Sequence, residues 1–339
     1  MESKIPIILC IDVEPDGFFI DRDKPLPWLG YEATYEFFRQ FRSRISETTK
    51  SQAHYSWYYR IDPQVQVTYG SPEWPWTHYE KYIDDFIQNG DEIGLHPHAY
   101  RWEEKINNWI EDLGNQSWVN HCVEMGFVSF KKIFNRTCDS FRFGAYWTNN
   151  ETINLVEELG ARFDLTPEPG LNLKKRAFDA QLYTAPLPNY DHVPRFPYRP
   201  SKSDFTKSDP NRKDGLWIIP LSTGYIQYRF GRLEQVYRKF FNPELLKPKC
   251  ISLNIGNYGS KNFSRMVNHL LNTLEKPHLV LVLRSDNGTK PRQMKNIQDN
   301  LDFLLSHPFA GRFVFSTPAE LMTTLGLIRN GKGKNGHEA

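Results

Sequence analysis

Two histidines one residue apart, His96 and His98, close the segment Glu92-Ile93-Gly94-Leu95-His96-Pro97-His98, directly after a short apolar run. An acidic cluster, Asp12-Val13-Glu14-Pro15-Asp16, follows a cleaner apolar run near the start of the chain. Imidazole and carboxylate together are the ligand mix of a catalytic zinc-like ion. Carboxylates crowded at a strand end repel one another unless a cation or a proton intervenes, although a capping and turn cluster would read the same way. Pro97 favours an extended backbone at His96, so the two rings need not diverge as they would along a flat strand; a surface loop can also carry two histidines with no metal. A third segment, Ser140-Phe141-Arg142-Phe143-Gly144-Ala145-Tyr146-Trp147, puts an arginine at another strand end. Its rigid, permanently charged fork can hold a carboxylate or an anionic product, or it can be a surface arginine beside a structural turn. Arg60-Ile61-Asp62 reads as an internal ion pair.

The elements that must position these residues alternate between apolar runs and amphipathic segments, the pattern of repeated βα units around a parallel sheet or barrel. Short buried strands are predicted at Pro6–Ile11, His54–Arg60, Glu92–Leu95, Ser140–Arg142, Ala161–Asp164, Leu216–Pro220, Cys250–Asn254, His278–Arg284 and Arg312–Phe315. Helices are predicted at Ala33–Ser46, His78–Asn89, Trp102–Arg136 (two helices broken near Gly114), Asn149–Leu159, Lys261–Glu275 and Pro291–Ser306. Gly90 and Gly160 stand where helices would stop. All three candidate segments then lie at strand C-termini, where α/β folds keep their chemistry. Residues 167 to 215 break the pattern: Pro, Asn, Asp and Lys with interleaved Tyr and Phe predict a long inserted loop over one rim. The residues from 331 to 339 read as a flexible tail, leaving 1 to 330 as one domain.

Composition bounds the function. The chain has 339 residues, with 42 basic against 40 acidic side chains, so no charge bias points to nucleic acid or an anionic membrane. The four cysteines lack any C-x-x-C spacing and read as reduced thiols. No segment reaches membrane-spanning length, and the N-terminal apolar run is too short for a signal peptide, so a cytoplasmic enzyme is expected. Nine Trp, 17 Tyr and 23 Phe, many in Pro-rich stretches, could offer platforms for a sugar face, Trp76 and Tyr198 among them.

Taken together, Ile11-Asp12-Val13-Glu14, Glu92 to His98, Phe141-Arg142-Phe143-Gly144 with Trp147, Glu158-Leu159-Gly160, and Phe196-Pro197-Tyr198 leading to Ile219-Pro220 resemble the polysaccharide deacetylase superfamily. These are the NodB-homology carbohydrate esterases, and the resemblance is strongest to members from O-antigen and capsule biosynthesis clusters. It implies an α/β fold, a distorted (β/α) barrel of about seven strands, and metal-dependent removal of an N-acetyl group from an amino sugar. By the same resemblance Asp12 is the general base, Arg142 orients it or holds the released acetate, and Glu14, His96 and His98 hold a divalent metal, zinc. Trp147, Tyr198, Trp76, Arg284 and Asp286 would contact the substrate, an amino sugar or a nucleotide- or lipid-linked precursor of a surface polysaccharide.

Two departures bear on activity. The family spaces its histidine ligands H-x-x-x-H, whereas here the residue four after His96 is Tyr100. A late strand of the family also ends in a histidine that protonates the leaving amine, where this chain reads Leu283-Arg284-Ser285-Asp286. Arginine cannot deliver that proton near neutral pH, which leaves Asp286 or His192 as stand-ins. Two further readings therefore stand beside the deacetylase: a degenerate barrel that binds a glycan or nucleotide sugar, with Arg284 reading an anionic group, and a hydrolase of another amide with the same metal centre.

Overall fold

The computed structural model describes residues 3–17, 20, 22, 24–172, 183–226 and 248–329. The expected tail at 331–339 and part of the 167–215 segment, residues 173–182, lie outside these. Strand β1 (Ile5–Val13) is the fully buried centre of a parallel sheet. It pairs with β2 (Ser56–Tyr59), then β3 (Glu92–Leu95), β6 (Ser140–Phe141), β7 (Phe163–Asp164) and β8 (Trp217–Ile218) on one side, and with β11 (Leu279–Arg284) on the other. An eighth strand, β12 (Phe313–Phe315), pairs with the start of β1, and every one of these pairings is parallel. The gap between β8 and β11 is bridged by the chain after β8. Ser222 N donates to Val280 O at 3.0 Å, Val280 N donates to Ser222 Oγ at 2.9 Å, and Ile255 N donates to Val282 O at 3.0 Å. The strands thus close on themselves as a distorted barrel.

Strand alternation divides the apolar residues into two sets. Ile7, Leu9, Ile11 and Val13 point outward with Trp57, Tyr59, Ile93 and Leu95, beneath helices such as Leu29–Thr49 and Gln116–Phe134. Ile8, Cys10, Tyr58, Phe163, Leu165, Ile219, Val280 and Val282 fill the interior, joined by Leu321 and Met322 of the helix Pro318–Thr324. Gly94 belongs to this inner face, since a Cβ there would lie 2.7 Å from the Tyr58 ring. All four cysteines are free, three of them buried. Among the described residues no helix is long and apolar enough to cross a membrane.

The structure corrects one helix. The segment from Trp102 opens not as a helix but as the hairpin β4 (Tyr100–Glu103) and β5 (Asn108–Glu111), turned at Asn107 with φ 47°. Only Gln116–Phe134 is helical, with Asn115 capping it through Trp118 N. Trp102 packs edge-on against Trp109 directly across the hairpin, with ring centroids 5.3 Å apart, and that cross-strand packing outweighs helical propensity. The expected strand at Cys250–Asn254 also changes partner: β10 (Lys249–Ser252) pairs antiparallel with β9 (Thr223–Ile226), apart from the barrel.

Candidate metal centre

On several strands the inward face runs from a core residue low in the barrel to a charged one at or just past its C-terminal end. On β1 the sequence Ile8, Cys10 continues to Asp12 and then Glu14. On β2 Tyr58 continues to Arg60 and Asp62, on β3 Gly94 continues to His96 and His98, and on β11 Val282 continues to Arg284. Arg142 follows β6 on the same inward side as Ser140. Asp12, Glu14, Arg60, Asp62, His96, His98 and Arg142 are all buried.

Among the described residues, Glu14, His96 and His98 form a candidate ligand group whose ligand atoms lie within 4.8 Å of one another. His96 Nε2 is 3.3 Å and His98 Nε2 4.0 Å from Glu14 Oε1. The outer nitrogens are already committed: His96 Nδ1 donates to Arg142 O at 2.8 Å, and His98 Nδ1 donates to Glu111 Oε1 at 3.1 Å. That arrangement turns both Nε2 lone pairs toward Glu14, as metal-ligating histidines require. His98 Nε2 is buried with no hydrogen-bond partner, a cost that a bound cation would remove. The donor set therefore fits a divalent ion of the zinc type. Asp16 stands apart, its Oδ1 accepting from Gly30 N at 2.8 Å. Gly144 is needed beside the cradle, because a methyl group there would overlap the His98 ring.

Around this cradle the charges are paired. Arg142 Nε donates to both oxygens of Asp12, at 3.0 and 3.3 Å, and Nη1 donates to Leu165 O at 2.8 Å. Burial works against the charged guanidinium, but the Asp12 and Glu168 carboxylates more than offset it and push its pKa above the usual arginine value. Glu14 divides its oxygens: Oε1 faces the imidazoles, while Oε2 accepts from Arg284 Nη2 at 3.0 Å and lies 3.9 Å from Arg60 Nη1. Burial alone would raise its pKa, yet Arg284 and the two histidines keep it well below the usual carboxylate range. Arg284 Nε also donates to Asp286 Oδ1 at 3.2 Å, and Asp286 Oδ2 accepts from Lys290 Nζ at 2.7 Å. The Arg60–Asp62 pair is internal, as its spacing suggests, at 2.9 Å.

The three aromatic residues expected to contact substrate, Trp76, Tyr198 and Trp147, are buried, as Asp12, His96 and His98 are. Trp76 is buried against Tyr59, Phe130 and Phe134. Tyr198 is buried with its hydroxyl on Phe205 O at 2.7 Å, and Trp147 is buried against Phe143. Glu111 was hidden from the sequence by the helical reading of its segment; the alternation of Trp109 and Glu111 beyond a turn-forming Asn107 is the signal that reveals it.

No family model matches the chain, and no curated protein sequence does either. Solved structures do. A protein from Parabacteroides distasonis assigned as a glycoside hydrolase/deacetylase aligns at TM-score 0.56 and 12% identity, over 95% of this chain and 71% of that one. The fold shared with it is a distorted (β/α) barrel. A protein from Mycobacterium smegmatis assigned as a polysaccharide deacetylase aligns over 96% of this chain and 90% of its own, at 10% identity and TM-score 0.46. A family 4 acetyl xylan esterase from Clostridium thermocellum, solved with a cobalt ion, aligns over 95% and 93% at 9% identity and TM-score 0.40. No residue role is transferred from any of the three. What the barrel contributes is placement: its inward strand ends are where Asp12, Glu14, His96, His98, Arg142 and Arg284 converge.

Proposed function

We propose that the protein is a metal-dependent hydrolase that removes an N-acyl group from an amino sugar or a surface-polysaccharide precursor. The observation that carries this reading is the buried Glu14, His96 and His98 group, with both outer imidazole nitrogens occupied and His98 Nε2 left bare. A divalent ion held there, zinc by its donor set, would supply Lewis-acid polarisation of the acyl carbonyl. The protein's own residues do the rest. Asp12 lies 3.9 Å from His96 Nδ1, beside the cradle but outside the ligand group, accepts the proton of the attacking water as general base and returns it to the departing amine as the C–N bond breaks. Arg142 fixes that carboxylate through two hydrogen bonds and supplies positive charge beside the reacting centre. Arg284 is engaged with Glu14 and Asp286, so its role is to hold a ligand in place.

That same engagement favours a second reading, a barrel that binds a glycan without hydrolysing it, because β11 ends in an arginine with no proton to give. Zinc content measured together with acetate release from N-acetylated amino sugars, with and without chelator, separates the two. Bound zinc and chelator-sensitive release support the hydrolase. Bound zinc and glycan with no release of acetate support the second reading, and the absence of bound metal overturns the metal centre itself.

A further inference from the structure

The β4–β5 hairpin leaves the barrel directly after His98 and pairs with no strand of the main sheet. It nevertheless grips the His98 ring on two sides. Tyr100 lies parallel to the ring, with centroids 5.1 Å apart and an interplanar angle of 9°. Glu111, which the register sets opposite Tyr100, accepts from His98 Nδ1 at 3.1 Å and from Ala99 N at 3.2 Å through the same oxygen, Oε1. Glu111 is buried and its other oxygen has no hydrogen-bond partner, so its carboxylate is spent on holding this one ring and the backbone beside it. The hairpin is itself held at both ends of β5. Trp109 Nε1 donates to Ile20 O at 2.6 Å, and Thr184 N donates to Glu111 O at 3.2 Å.

We infer that Glu111 is a positioning residue of the metal centre: its carboxylate holds the His98 imidazole in the tautomer that protonates Nδ1 and bares Nε2, so the hairpin completes the cradle. The inference rests on the metal reading above. A neutral imidazole carries one proton, and whichever nitrogen donates is lost as a ligand. Asp62 cannot make that choice, since its Oδ2 takes the His98 backbone N–H at 3.2 Å and leaves the ring alone. Tyr100 stacks on the ring face and is equally blind to which nitrogen bears the proton.

The test compares Glu111→Ala and Glu111→Gln with the wild-type chain in zinc and cobalt affinity, measured against a chromophoric chelator. Glu111→Ala should bind 10- to 100-fold more weakly, the usual effect of removing an outer-shell partner of a ligating histidine. Glu111→Gln, whose amide oxygen can accept the same bond, should recover most of the loss. The metal-free wild type should show the His98 imidazole protonated at Nδ1 by ¹⁵N NMR, a readout that survives even if Glu111→Ala fails to fold. Affinity of Glu111→Ala within twofold of the wild type overturns the inference, as does an Nε2-protonated His98. Either result leaves the hydrolase reading standing, whereas a wild-type chain that binds neither ion removes both.

Discussion

Replacing Arg142 by alanine tests the link between the base and the barrel. The Nε atom lies 3.0 Å from Asp12 Oδ1 with both side chains buried, so at an effective dielectric of about 20 their attraction is about 5.5 kcal/mol. Desolvation offsets much of that in the intact pair, but deleting one partner strands the other charge, and such deletions cost about 3–5 kcal/mol. The Leu165 carbonyl also loses its 2.8 Å donor. We expect urea unfolding of metal-free Arg142→Ala to show a loss of about 3–5 kcal/mol, with Arg142→Lys in between because it keeps charge but not the fork. Zinc stoichiometry should stay unchanged, because the group that orients His96 is the backbone carbonyl of residue 142, which the substitution keeps. Acetate release should fall by about 10²–10⁴-fold as Asp12 loses its orientation. A stability loss below about 1 kcal/mol would refute the reasoning, since it would mean that Asp12 is not ionised and buried against this arginine. Loss of zinc at full stability would refute it differently, by making the side chain part of the cradle.

Three more outcomes follow from the same geometry. Asp12→Asn should keep bound zinc and lose acetate release by about 10²–10⁴-fold, and a variant that loses zinc would place Asp12 among the ligands. Arg284→His removes the 3.0 Å contact to Glu14 Oε2 and should weaken zinc affinity by about tenfold or more, with no gain in acetate release; a gain would show that a missing acid at this strand end limits the reaction. Asp164 is buried, one oxygen accepting from Thr166 N at 2.8 Å and the other unpartnered, and burial raises its pKa from 3.8 to about 7. A folded-state pKa above the unfolded one gives stability that is complete below about pH 4 and is lost as pH rises through about 7, worth about 4 kcal/mol in all. Chemical denaturation at pH 5 and pH 8 should show about 3 kcal/mol of that fall in the wild type and a flatter profile in Asp164→Asn, and identical profiles would sink the assignment.

Much of the barrel was legible because a strand buried on both faces is an apolar run ended by a charged residue. Glu92–Leu95 and Pro291–Ser306 have the bounds read from the sequence, and β1 and β11 differ from it only at their ends. The hairpin was not legible: Trp102 and Trp109 serve a helix face and a strand face equally well, and only pairing across Asn107 decides between them. The role of Arg284 was equally hidden. Its charge at a strand end is plain in the sequence, but its partner Glu14 stands 270 residues earlier, and no local pattern announces that meeting.

The inward register of β1 also limits how this protein can vary. Cys10, Asp12 and Glu14 share one face only while the count of residues from Ile5 onward is kept. Loss or gain of a single residue within Ile5–Val13 would send Ile11 and Val13 into the barrel and turn both carboxylates out beneath the helices. Changes of length should therefore be tolerated in the connections and not inside this strand, where a one-codon deletion would do more harm than most substitutions. For the same reason, grafting this site onto another barrel would require transplanting strand phase before any individual side chain.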